Sequence, residues 1–96
     1  MTLEDFFHTL KYNLPSKDFT VELEALWWAK KGNWEKAHQL AQDANTPTGD
    51  WVHAYLHREE GDLGNASYWY SQANKPVSRK SLSDEWEEIV KNIIDE

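Results

Sequence analysis

Apolar side chains recur at helical spacing in six stretches of the chain, each bounded by glycine, proline or a polar turn. Residues 3–14 place Leu3, Phe6, Phe7, Leu10 and Leu14 on one face, with Thr2 and Asp5 in capping-box spacing and Pro15 as the stop. Residues 19–31 hold Phe19, Val21, Leu23, Leu26, Trp27 and Trp28 without internal Gly or Pro. Gly32 follows, able to take positive φ, and Asn33 is placed to cap the next helix. That helix is predicted over 34–44, where Trp34, Ala37, Leu40, Ala41 and Ala44 keep the period and Pro47 lies just beyond its end. The plan then returns as a helix over 51–60, a break at Gly61-Asp62, a helix over 63–73, and Pro76. A last amphipathic helix is predicted over 82–94 from Leu82, Trp86, Ile89, Val90, Ile93 and Ile94, with Ser81 and Asp84 again in capping-box spacing.

The middle of this pattern is a duplication. At an offset of 29 residues, Ala25 falls on Ala54, Gly32 on Gly61, Ala37 on Ala66, Ala44 on Ala73, Asn45 on Asn74 and Pro47 on Pro76, without a gap. Trp28 falls on His57 in the same register. Each unit is therefore expected to be a helix-turn-helix whose matched alanines let two antiparallel helices approach closely.

The unit resembles the tetratricopeptide repeat on Gly32-Asn33-Trp34 with Ala37 and on Gly61-Asp62-Leu63 with Ala66, and the resemblance covers residues 18–76. It departs in its period, 29 residues here against about 34 in that family. It departs again at His53 and His57, where the family prefers Leu and aromatic packing. Residues 51–58 together with 66–70 are also similar to a small group of proteins that carries no activity to transfer. The implied architecture is all-α: antiparallel helical hairpins stacked as a short right-handed TPR-like solenoid of about six helices. The expected layout is one domain, with a flanking helix (1–15), two units (18–47 and 48–76) and a capping helix (81–96) that covers the exposed end of the array.

Composition narrows the function. With 40% hydrophobic content, six Trp, four Tyr and three Phe, 96 residues can build one small core. The absence of Cys excludes disulfides, thiolate zinc sites and Cys nucleophiles. A net charge of −7, with cations clustered only at Lys30-Lys31 and Arg79-Lys80, argues against nucleic acid and anionic membrane as partners. Glu4, Asp5, His8 and Lys11 interrupt the apolar residues at the start of the chain, so a cytoplasmic protein without a signal peptide is expected. The acidic run 84–88 is expected to be a solvated helix face with Trp86 turned inward.

Two candidate sites remain. If the family's geometry transfers, the first helix of each unit lines a concave face bearing Glu22, Leu26 and Lys30 from one unit and Trp51, Tyr55, Arg58 and Glu59 from the other. Trp, Tyr and Arg are the residue types that anchor interfaces, so this face is expected to bind a protein or peptide, or a second copy of the chain; the alternative is that Trp51 and Tyr55 pack under a terminal helix, which would fill the groove. His53 and His57 stand one helical turn apart, and with Glu24 they are the candidate metal ligands; His38 is a poorer candidate. Trp28, Trp69 and Tyr70 would frame these groups as a small-ligand pocket. The alternative has the histidines as core groups, hydrogen-bonded to Glu24 or Tyr70. No nucleophile elbow, phosphate loop or paired carboxylates occur, and Ala54 stands where zinc hydrolases carry Glu, so a non-enzymatic protein without a cofactor is expected.

Overall fold

Local caps decide where each helix begins in the computed structural model, which describes residues 1–94. Thr2 caps α1 (Leu3–Thr9) through the full reciprocal box with Asp5. The side chains of Thr20, Asn33, Thr46 and Asp62 accept the N-terminal N–H groups of α2 (Val21–Lys30), α3 (Trp34–Ala44), α4 (Pro47–Glu59) and α5 (Leu63–Gln72). Ser81 Oγ accepts from Asp84 N at the start of α6 (Leu82–Ile94). No strand occurs among the described residues, and none of their helices is long and apolar enough to cross a membrane. Residues 95–96 of the expected capping helix lie outside the described residues.

The 29-residue register is repeated in the backbone. Gly32 and Gly61 take φ of 88° and 89°, and Asn45 and Asn74 take 54° and 58°. Asn33 N donates to Trp28 O at 3.0 Å, and its counterpart Asp62 N donates to His57 O at 2.9 Å. Ala25, Ala54, Ala37 and Ala66 are all buried where the paired helices meet.

Two boundaries differ clearly from the sequence reading. Helix α1 stops at Thr9 instead of continuing to residue 14, and Leu14 is exposed. Side chains from α2 and its end take the carbonyls that further turns would have used: Trp27 Nε1 donates to Thr9 O, and Lys31 Nζ donates to Leu10 O and Tyr12 O. Pro47 starts α4 rather than merely following α3, because Thr46 supplies a cap and a proline is favoured at the first helical position. Pro76 has Lys75 before it instead of a capping residue, and residues 75–81 stay irregular.

Helices α2 and α3 pair, α4 and α5 pair, and α3 packs on α4. Gly49 permits that last approach: a Cβ there would stand 2.7 Å from Ala44 Cβ and 3.2 Å from Ala41 O. Helix α6 lies against α2, α4 and α1. It buries Trp86, Ile89 and Val90 with Leu26 and Phe6, and Trp86 Nε1 donates to Leu26 O at 2.9 Å. Enclosed aromatics of this kind contribute roughly 3–5 kcal/mol each when measured by truncation to Ala.

Candidate functional site

Helix α4 presents two faces. At about 100° per residue, Trp51, Tyr55 and Arg58 project from one side and His53 and His57 from roughly the other.

The first face is the expected partner groove, and α6 closes it. Glu85 of α6 is fully buried, and its carboxylate accepts from Tyr70 OH at 2.6 Å, Trp51 Nε1 at 3.2 Å and Arg58 at 2.9 Å. Arg58 also donates to Lys80 O, which ties down the irregular segment before α6. Leu26, Trp51 and Tyr55 are buried, while Lys30 stays exposed with its ammonium 4.4 Å over the Trp86 ring. Glu22 accepts from Thr46 Oγ1 at 2.6 Å, and Glu59 is exposed. So short an array has no other cover for these rings, and the apolar stripe of α6 needs burial of its own. The reading of 84–88 as a solvated face therefore holds at exposed Asp84 and in part at half-buried Glu87 and Glu88 but fails at Glu85, which the helical period places on the buried arc beside Trp86.

The second face gathers three imidazoles. His38 from α3 and His53 and His57 from α4 each offer a ring nitrogen, and these nitrogens all lie within 4.8 Å of one another. The rings of His53 and His57 stack at 4.8 Å, and His38 meets them nearly edge-on at 4.5 and 5.1 Å. Two indoles hold the planes: Trp34 stacks on His38 at 4.7 Å and Trp69 on His53 at 4.0 Å. Glu24 is not in the set; the third member is His38, brought in because α3 of the first unit packs on α4 of the second. The spacing Trp34-x-x-x-His38, which stacks the two rings along one helix face, is the sequence signal for it. Of the expected frame, Trp69 is present, whereas Tyr70 belongs to the Glu85 network. Trp28 packs edge-on against Trp27, and its buried Nε1 has no partner.

Electrostatics separate the three rings. Burial lowers the pKa of His53 to about 4, with the neighbouring imidazoles adding to the effect. Burial also lowers His38, aided by His57 and opposed by Glu60 and Glu35. His57 Nδ1 lies 2.7 Å from Glu60 Oε2. A carboxylate only accepts, so Nδ1 is the donor of this pair, and in the neutral ring Nε2 is the nitrogen with a free lone pair. His53 is 3% exposed, and its buried Nδ1 has no hydrogen-bond partner. Neither Glu24 nor Tyr70 bonds these rings, as the core reading would require.

Comparison of the chain with protein-family models, with curated proteins and with solved structures finds no match.

Proposed function

We propose that this is a non-enzymatic binding protein whose ligand site is the His38, His53 and His57 cluster, set in a short right-handed TPR-like stack. One observation carries the reading: a buried imidazole nitrogen, His53 Nδ1, is left unbonded among three converging rings. An unmet buried polar atom costs roughly 1–3 kcal/mol, so a group retained in that state is a candidate for work other than holding the fold. The test is His53→Phe, which keeps a flat ring against Trp69 and removes the unmet nitrogen. Melting of the ligand-free variant is expected to match or exceed that of the parent, as for residues that trade stability for function. A loss above about 2 kcal/mol would assign the cluster to architecture instead.

A second reading draws on the Glu85 network. The groove residues Trp51 and Arg58 hold an amphipathic acidic helix, here α6 of the same chain. A partner protein, peptide or second copy would take the place of α6. Sedimentation at several concentrations, with and without excess peptide 81–94, tests this. Concentration-dependent dimers or bound peptide support it, and a monomer that ignores the peptide leaves the groove to α6.

A further inference from the structure

Resting on the ligand-site reading above, we infer that the three histidines bind a divalent first-row transition ion of the zinc class, with Glu60 as the orienting partner of His57. The donor set selects the metal. Three imidazoles suit zinc, cobalt, nickel or copper, whereas calcium and magnesium demand oxygen ligands. No thiolate is present to draw softer ions.

The geometry is close to what such an ion needs. Zinc–nitrogen bonds of about 2.0–2.1 Å in a tetrahedron set the nitrogens roughly 3.4 Å apart. The three nitrogens already lie within 4.8 Å, so small side-chain rotations close the set. His53 and His57 come from one rigid helix a turn apart, and His38 is the partly exposed member of the set. The stacked Trp34 and Trp69 fix two ring planes, and Glu60 on His57 Nδ1 makes the carboxylate–histidine pair that orients a metal-bound imidazole. A water would complete the tetrahedron.

A second set, His57, Glu60 and Asp62, also falls within 4.8 Å. It is the weaker claimant. Asp62 accepts from Asn65 N and Asn65 Nδ2 as the cap of α5, and both carboxylates are exposed.

The experiment is a titration of the chelator-treated, tag-free full chain with Co²⁺, read by the visible bands of four-coordinate cobalt, followed by displacement with Zn²⁺. One equivalent is expected. His38→Phe and His57→Phe are each expected to weaken it at least about 100-fold, and Glu60→Gln by about 10–100-fold, the usual effect of losing an outer partner. Asp62→Asn, which retains a capping side chain, and His8→Ala, at an exposed position of α1, are expected to bind as the parent does. Absence of saturable cobalt binding by the parent overturns the proposal, as does undiminished binding by His38→Phe or loss of binding in Asp62→Asn or His8→Ala. If cobalt fails while His53→Phe is as stable as the parent, the metal is excluded and the ligand site stands; if His53→Phe is strongly destabilised, the site itself is excluded.

Discussion

The Glu85 network and the histidine cluster lie on two sides of α4, about equally buried at their centres, yet they are built differently. Around Glu85 the polar groups find partners: the carboxylate receives an indole N–H, a phenol O–H and a guanidinium. Around His53 the rings stack and converge, and one buried nitrogen goes unbonded. The first arrangement specifies where α6 docks, since a helix without that acid would leave three donors unmet. The bonded network around Glu85 thus fixes the position of α6, whereas the unbonded His53 nitrogen among converging rings is the feature on which the proposed ligand site rests.

The largest effect should come from Glu85→Ala. It leaves Arg58, Trp51 Nε1 and Tyr70 OH without their shared acceptor, and breaking one side of a buried ion pair costs roughly 3–5 kcal/mol. Urea denaturation followed by tryptophan fluorescence measures it, and a loss below about 1 kcal/mol would show that the network holds nothing together.

Acid should act next, on the other side of α4. In the folded chain His53 is protonated only near pH 4, against an unfolded value of 6.5. The unfolded state thus binds more protons between those values, and stability that is complete above about pH 6.5 is lost as the pH falls towards 4. The shift corresponds to about 3 kcal/mol from His53, and the lowered pKa of His38 acts in the same direction. Asp5, lowered by hydrogen bonds from Thr2, and Asp62, lowered by those from Asn65, give way only at more acidic pH. Denaturation midpoints of metal-free protein at pH 7.5 and 4.5 are expected to differ markedly in the parent and much less in His53→Phe. Equal differences in both proteins would remove His53 as the cause.

Tyr70→Phe should have a more modest effect. Its hydroxyl is one of three donors on Glu85 and lies 2.6 Å away, and burial with that carboxylate raises its own pKa. A bond to a charged group is worth about 1.5–3 kcal/mol, so a loss in that range by urea denaturation is expected, with α6 still docked. No measurable loss would mean that Trp51 and Arg58 alone satisfy the acid.

How much of this contrast was legible in the sequence depends on what each residue answers to. Helix starts answer to neighbours in the chain, so Thr2, Asn33 and Ser81 announced theirs, and the positive φ at Gly32 and Gly61 followed from the turn they share. Pro47 and Pro76 aligned perfectly yet behave differently, since the preceding residue, Thr46 or Lys75, decides whether a cap exists. The helical period puts Glu85 beside the apolar arc, but nothing local shows that an acid there is buried, because its donors come from residues 15, 27 and 34 positions away. His38 was underrated for the same reason, because its partners come from the next unit and only the packing of α3 on α4 joins them.

The smallest stability effect, and the sharpest separation of the two faces, is expected from His38→Phe. His38 is partly exposed, and no hydrogen bond engages it among the described residues. Its stack on Trp34 at 4.7 Å is one a phenyl ring can keep. The change should therefore stay within about 0.5 kcal/mol, the range of substitutions away from buried networks, while removing one of the three nitrogens the site requires. Side-by-side urea curves for His38→Phe and Tyr70→Phe decide the matter. If His38→Phe costs as much as Tyr70→Phe, the histidines brace α3 on α4 as the acid braces α6, and the two sides of α4 no longer differ in kind.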